Sequence, residues 1–301
     1  MQLLKKMWPL WIFAIAITLF TAYYQRITGP THPQRVQATV AKATYTLSFP
    51  RTLRTEILPQ QALGDWERLS NSTTLKIKVK SSDKTTSLPE DTPIQLRYKR
   101  ARSLGDWSTV KASVRPDGHI EALLPSQPPA GKLAYSIILD GVALPEGAPI
   151  VVRFRNNVPA WALIPHIFFM FAAMLLSTLC GLLSLRTDNR WKKYAPLTVV
   201  ILLVGGLILG PVVQKFAFGA YWTGWPLDDD LTDTKTLIAA CFWILPLLFM
   251  RKRWGCRLAI AAAVALLVIF SIPHSTSGSE FNYETGVIGT EERRVQHDSV
   301  E

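Results

Sequence analysis

The chain has 301 residues, of which 49% are hydrophobic, and its mean hydropathy of +0.17 is high for a soluble protein. Its three cysteines, Cys180, Cys241 and Cys256, lie in apolar segments or a basic loop, which excludes a disulfide scaffold elsewhere. No Cys-x-x-Cys-His motif is present, so covalent c-type haem attachment is excluded too. The net charge of +11 comes partly from loops that membrane topology requires to be basic, so we predict no nucleic-acid partner.

Five apolar segments explain the high hydropathy: 8–24, 160–185, 195–214, 234–250 and 258–273. A membrane-spanning helix needs about 20 apolar residues, with about 17 as the lower end. The second and third segments meet this length, and the two shorter ones that follow are bounded by polar or charged residues, so we predict five spans. The first segment resembles a signal peptide, but Thr21-Ala22-Tyr23-Tyr24 offers no small-x-small cleavage site, which predicts an uncleaved anchor.

Lysine and arginine cluster at three places that five spans would put on one side of the membrane. The clusters are Lys5 and Lys6; Arg186, Arg190, Lys192 and Lys193; and Arg251, Lys252, Arg253 and Arg257. Because basic loops stay in the cytoplasm, the N-terminus is predicted to be cytoplasmic and the C-terminus periplasmic. The prediction is a multi-pass protein of a bacterial inner membrane, with residues 25–158 and the 215–235 loop facing outward.

The outward region between the first two spans has the pattern of β-strands. Thr74–Lys80 alternates apolar and basic residues with a period of two. Similar runs occur at Ile94–Lys99, His119–Leu124, Lys132–Leu139 and Pro149–Phe154. About seven short strands in about 120 residues predict an immunoglobulin-like or fibronectin-like β-sandwich. The predicted fold is therefore mixed: an all-α bundle of about five transmembrane helices with an inserted extracytoplasmic β-sandwich.

The predicted domains are an anchor (1–25), the sandwich (26–157), a four-helix transmembrane bundle (158–275) and a polar tail (276–301). The sandwich shows no catalytic constellation, so we expect it to contact other membrane or periplasmic proteins, by analogy with its fold. Its Leu-Gly-Asp-Trp motif occurs twice and ends at Trp66 and Trp107. We interpret both tryptophans as core or rim packing rather than as a sugar-binding platform.

The predicted outward end of the bundle carries aromatic rings, carboxylates and two histidines. The rings and carboxylates share the loop of residues 218–236 between the third and fourth spans. His166 lies at the outer end of the second span, and His274 lies just beyond the fifth. Ionisable groups near hydrocarbon cost free energy, so these positions are candidates for function.

These segments resemble the haem-handling cytochrome c assembly proteins, a membrane family with a tryptophan-rich outward loop flanked by two histidines. The resemblance covers roughly residues 158–276 and is carried by Phe218-Gly219-Ala220-Tyr221-Trp222, Trp225, Asp228, Leu231, Thr232, Pro159–His166 and Pro273–Ser275. It implies haem as the ligand, with His166 and His274 as axial ligands and Tyr221, Trp222 and Trp225 as the platform. Imidazoles do bind haem iron, which supports the same hypothesis chemically. Phe218 replaces the family's first loop tryptophan, and no span follows His274.

Two alternatives remain open. A divalent cation would suit the carboxylates of Asp228, Asp230, Asp233 and Glu280. The Asp229-Asp230-Leu231-Thr232-Asp233 string also resembles the magnesium motif of membrane prenyltransferases, but a second acidic motif is missing, so we expect ligand binding or delivery rather than catalysis. Alternatively, the protein is an accessory subunit whose aromatic residues form an interfacial belt. In that case Asp230 or Asp233 caps the helix that starts near Thr234.

Overall fold

A computed structural model describes residues 7–40, 43–55, 72–82, 88–101, 105–228, 230–273, 280–283 and 288–289. The chain divides into two compact units. The helical unit contains the described parts of Met1–Pro30, Val158–Ser279 and Gly289–Glu301. The β unit contains those of Thr31–Asn157 and Glu280–Ile288.

The β unit is built around a single large sheet. Its strands are β1 (Gln34–Val40), β2 (Ala43–Phe49), β3 (Thr52–Arg54), β4 (Ser72–Ser81), β5 (Ile94–Arg100), β6 (Ser108–Val114), β7 (His119–Pro125), β8 (Lys132–Leu139), β9 (Val142–Leu144) and β10 (Ile150–Arg155). The hydrogen-bonded order is β1-β2-β4-β7-β6-β5-β8-β10-β3, with β9 paired to β8. Two short strands, β11 (Glu280–Phe281) and β12 (Ile288–Gly289), form a separate two-stranded sheet.

The predicted β-sandwich of two sheets is wrong, because the strands form one continuous curled sheet. Successive strands contribute side chains to one apolar core, for example Leu47, Leu75, Leu96, Tyr135 and Val152. A period-two pattern reveals which side chains face a core, and the same pattern fits a single curled sheet or two stacked ones. In a sandwich, the strands would divide into two sheets without hydrogen bonds between them. Here β7 pairs with both β4 and β6 and so joins the two parts of the strand order in one sheet.

Five helices form the described part of the helical unit. They are α1 (Trp8–Thr28), α2 (Ala160–Leu185), α3 (Trp191–Phe218), α4 (Leu231–Leu248) and α5 (Gly255–Ser271). The first four are long and apolar enough to cross a membrane, whereas α5 has only 17 residues. Four of the five expected spans therefore have the length and composition of a spanning helix, and the fifth, α5, is a shorter apolar helix. Helix α5 ends where Ile272 turns extended before Pro273, as the residue before a proline tends to do.

Contacts between helix termini show which ends of the bundle lie together. At one end, the ring of Trp11 in α1 lies 6.1 Å from that of Tyr194 in α3. At the other end, the rings of Trp161 in α2 and Phe216 in α3 meet at 5.5 Å. The basic loops after α2 and α4 thus lie at the first end, and the loop between α3 and α4 lies at the second. That second end carries the candidate site.

Candidate functional site

The connection from α3 to α4, of which the structure describes residues 219–228 and 230, is called the aromatic loop. It begins at Gly219, whose φ of 93° is in the left-handed region and terminates α3. The ammonium of Lys215 donates to the carbonyl oxygen of Gly219 at 2.7 Å and lies 5.2 Å from the ring centroid of Tyr221. The end of the helix therefore positions Tyr221 beside a cation.

The aromatic loop ends at a capped helix start. Asp230 is the N-cap of α4, and its Oδ1 accepts the backbone N–H of Thr232 at 2.7 Å. Asp233 lies in the first turn, where a negative charge interacts favourably with the positive end of the helix dipole. Of the two predicted caps, Asp230 and Asp233, the structure has Asp230, and the helix begins at Leu231 instead of near Thr234.

Thr223 holds the middle of the aromatic loop against the start of α4. Its backbone N–H donates to Oδ2 of Asp233 at 2.7 Å, and its hydroxyl lies 3.3 Å from Oδ2 of Asp230. The amide of Gln214, in α3, donates to the same hydroxyl at 2.6 Å. Thr223, Asp230 and Asp233 are all buried. Both carboxylates therefore help to shape the loop.

Gly224 allows the aromatic loop to approach α4 closely. A Cβ at this position would lie 2.5 Å from Cβ of Asp233 and 2.7 Å from the backbone nitrogen of Thr234. The backbone N–H of Trp225 donates to Oγ1 of Thr234 at 2.9 Å, and the indole N–H of Trp222 donates to the carbonyl of Gly224 at 2.9 Å. The loop backbone is pinned in this way, while the rings of Trp225 and Tyr221 stay about 60% exposed.

His166 is oriented by an irregular turn of α3. Its Nδ1 lies 2.8 Å from the carbonyl oxygen of Gly205, in the π-helical segment Leu203–Leu209. The backbone N–H of Gly210 donates to the same oxygen. Because a carbonyl only accepts, Nδ1 carries the proton, and the lone pair of the neutral ring lies on Nε2. Nothing in the sequence around His166 identifies this partner, although the Gly205-Gly206 pair inside an apolar segment indicates an irregular helix.

The same two glycines connect His166 with the start of α4. A Cβ on Gly206 would lie 2.6 Å from Cγ2 of Thr236, and one on Gly205 would lie 2.8 Å from Cβ of Phe169. Because neither glycine has a side chain, the backbone of α3 packs directly against side chains of α2 and α4 at this point. Single-turn π segments occur frequently at functional sites.

Lys235 is a buried cation one turn into α4. Its ammonium donates to the carbonyl oxygens of Ile272 at 2.7 Å and Pro273 at 3.4 Å. Ile272 is the C-cap of α5, and a cation is favourable at a helix C-terminus. No local sequence pattern indicates this role, because the end of α5 lies 37 positions away along the chain.

The structure brings most of the predicted site residues into the helical unit. These are His166, Tyr221, Trp222, Trp225, Asp228, Asp230 and Asp233. Glu280 belongs to the β unit, where its carboxylate lies 3.3 Å from the ammonium of Lys132. His274 lies outside the described residues. Within the part of the chain that the structure describes, no three residues of the His, Cys, Asp and Glu types are grouped as a metal site would require.

Comparison with known proteins adds no functional assignment. No protein-family model matches this chain, and no curated protein is significantly similar to it.

Proposed function

We propose that this protein binds haem at the end of the helical unit that carries the aromatic loop, with Nε2 of His166 as an iron ligand. The observation that carries the proposal is the contact of 2.8 Å between Nδ1 of His166 and the Gly205 carbonyl. Histidines that ligate metals almost always donate their other ring N–H to such an acceptor, which fixes the tautomer and the ring orientation. Imidazole is also a common axial ligand of haem iron.

The aromatic loop supplies groups that suit the rest of the ligand. The exposed rings of Tyr221 and Trp225 offer flat apolar surface to a planar macrocycle. The ammonium of Lys215, beside the Tyr221 ring, can form a charge-assisted hydrogen bond with a propionate. Trp222 is held by its indole N–H and has a structural role next to this surface.

The distribution of basic residues supports a location for the site. The loops after α2 and α4 are rich in arginine and lysine, so we place that end of the bundle in the cytoplasm of a bacterial cell. The aromatic loop and the C-terminus then face the periplasm. The helical unit contacts the lipid bilayer. Delivery or retention of haem fits this arrangement better than catalysis, because the loop's buried carboxylates take part in its own hydrogen bonds.

The test is an absorption titration of the full-length protein in detergent with haemin, recorded in the oxidised and reduced states. We expect saturable binding with a shifted Soret band in the wild type. His166→Ala and His166→Gln should both weaken binding at least 10-fold, although glutamine keeps an N–H donor for the Gly205 carbonyl. His274→Ala tests the second predicted axial ligand. His119→Ala, which removes a histidine of the β unit, is the matched control and should bind like the wild type.

If both His166 variants keep the wild-type spectrum and affinity, the assignment of His166 is wrong. Saturable binding that only the His274 variant abolishes would move the ligand role to that residue. Absorbance that rises without saturation in every variant would reject haem as the ligand.

A second function, as an accessory subunit of a membrane complex, is favoured by the exposed side chains of Tyr221, Trp225 and Leu227 on a loop whose backbone is pinned. A rigid presentation of apolar side chains suits a protein contact or the membrane interface. Trp225→Ala should then reduce co-purification of a partner subunit from native membranes without changing haemin binding. Loss of haemin binding in this variant would favour the first proposal.

A further inference from the structure

The β unit contains a cleft of about 520 Å³ on the outer face of its sheet. Residues from β5 and β8 form one part of it, and the segment from the β8–β9 turn to the start of β10 forms the opposite wall. Clefts of this volume commonly hold small molecules. This cleft lies within the β unit and shares no residue with the aromatic loop.

Arg97 and Ser136 form the polar floor of the cleft. They are directly paired across β5 and β8, and Nη2 of Arg97 donates to Oγ of Ser136 at 3.3 Å. Ser136 is buried, and among the described residues Nε of Arg97 is buried without a hydrogen-bond partner. Because a guanidinium carries five N–H donors and Ser136 accepts from Nη2, the terminal nitrogens of Arg97 have capacity for a further acceptor. Carboxylates are the acceptors that a guanidinium pairs with in a bidentate manner.

Trp107 forms an aromatic wall beside this guanidinium. Its ring centroid lies 5.5 Å from Cζ of Arg97 and 5.3 Å from Nζ of Lys99. The side chain is 36% exposed, so the packing role expected from the sequence leaves part of the ring accessible. Two cations beside the ring make this end of the cleft strongly positive and orient the indole. Trp66, the other tryptophan of the repeated motif, lies outside the described residues.

The opposite wall adds apolar surface and one carboxylate. Val142 and Pro145 line the cleft, and Glu146 stands exposed at its rim. An ionised carboxylate only accepts hydrogen bonds, so Glu146 selects hydroxyl or N–H donors on a ligand. The cleft thus combines a cationic floor, a flat aromatic wall and a rim acceptor.

We propose that this cleft binds an acidic sugar, of the uronic acid class. The ligand's carboxylate would lie against the Arg97 guanidinium, and the C–H face of its ring would pack on Trp107. Hydroxyl groups would donate to Glu146 and exchange hydrogen bonds with Ser136. A neutral sugar would leave the guanidinium without its acceptor, and a simple carboxylate would leave the indole and Glu146 unused.

The test is isothermal titration calorimetry of the full-length protein in detergent with digalacturonic acid. Neutral lactose, acetate and a tetraglutamate peptide are titrated in parallel. We expect saturable heat with digalacturonic acid only. Arg97→Gln and Trp107→Ala should each weaken this binding at least 10-fold, and Glu146→Gln, an exposed substitution that does not threaten folding, should weaken it measurably.

The matched control for the lost charge is Lys111→Gln, because Lys111 is an exposed cation of the neighbouring strand β6 outside the cleft. It should bind like the wild type. No saturable heat with digalacturonic acid overturns the proposal, and so does equal binding of lactose. Preference for the peptide would assign the cleft to acidic protein segments instead. Equal losses in Arg97→Gln and Lys111→Gln would show nonspecific charge attraction, which also overturns it.

Discussion

The backbone N–H of Thr223 donates to Oδ2 of Asp233 across 2.7 Å, which joins the aromatic loop to the first turn of α4. Both residues are buried, so neither water nor a flexible surface group substitutes for this bond. The conformation of the loop and the start of the helix therefore depend on each other. Substitutions on either side should affect both.

Asp233→Ala should destabilise the helical unit. The change leaves the Thr223 N–H buried without its acceptor, which costs about 1–3 kcal/mol. Thermal unfolding in detergent should shift to a lower temperature, and the aromatic loop should become sensitive to limited proteolysis. Asp233→Asn keeps an acceptor oxygen and should lose less stability than alanine.

The control for Asp233→Ala is Asp91→Ala, which removes an exposed carboxylate from the β unit. Its unfolding temperature should equal that of the wild type. If Asp233→Ala also unfolds like the wild type, the hydrogen bond to Thr223 does not stabilise the loop.

Gly224→Ala should disrupt the aromatic loop more strongly than its small size indicates. The added methyl group would meet Cβ of Asp233 at 2.5 Å and the backbone nitrogen of Thr234 at 2.7 Å, and neither neighbour is the flexible end of a long side chain. Overpacking of this kind costs about 1–3 kcal/mol. Gly210→Ala is the matched control, because its Cβ would meet nothing closer than 3.7 Å. Equal unfolding temperatures for the two variants would contradict the close approach of loop and helix.

Local structure could be predicted from the sequence because it depends on neighbouring residues. The run at Lys132–Leu139 coincides with β8, and the alternation at Thr74–Lys80 lies inside β4 (Ser72–Ser81). The sequence indicates Asp230 or Asp233 as a helix cap for the same reason, since a cap needs only a short polar side chain two or three positions before its donor, and Asp230 has this role in the structure.

The long-range relationships could not be predicted in this way. Whether the strands form one sheet or two depends on pairings such as that of β4 with β7, whose partner residues lie 41 to 53 positions apart. The residue pattern of each strand is the same in both arrangements. The contact of His166 with Gly205 depends on how two helices are oriented about their axes and on a π-helical segment in one of them. Neither the long-range strand pairing nor the orientation of the helices can be read directly from a single sequence.

Lys235→Ala should destabilise the contact between α4 and α5. The ammonium donates to two carbonyl oxygens at the C-terminus of α5, and its loss leaves the nearer one, on Ile272, without this donor. Hydrogen bonds from charged groups contribute about 1.5–3 kcal/mol, and the helix dipole adds to this value. The variant should unfold at a lower temperature than Lys193→Ala, which removes an exposed lysine of α3. A Lys235→Ala protein as stable as that control would show that the carbonyls find other donors.

Tyr283 anchors a C-terminal segment to the β unit. Its hydroxyl donates to Oε1 of Gln127 at 2.6 Å, and Cζ of Arg100 lies 3.9 Å from its ring centroid. Tyr283→Phe removes only the hydrogen bond and should lower stability by about 1 kcal/mol. Tyr283→Ala also removes the cation–π contact, which raises the expected loss to about 2 kcal/mol.

Limited proteolysis followed by mass spectrometry measures this effect directly, because a released C-terminal segment is cut faster near Phe281. The expected order of cleavage rates is wild type, then Tyr283→Phe, then Tyr283→Ala. Tyr98→Phe, a hydroxyl deletion on β5 in the same unit, serves as the matched control and should be cut at the wild-type rate. Identical rates for all four proteins would mean that other contacts hold the segment, such as the ion pair of 3.3 Å between Lys132 and Glu280. The double variant Tyr283→Ala, Glu280→Gln then separates the two contributions, since residues that stabilise one docked segment show losses that do not add.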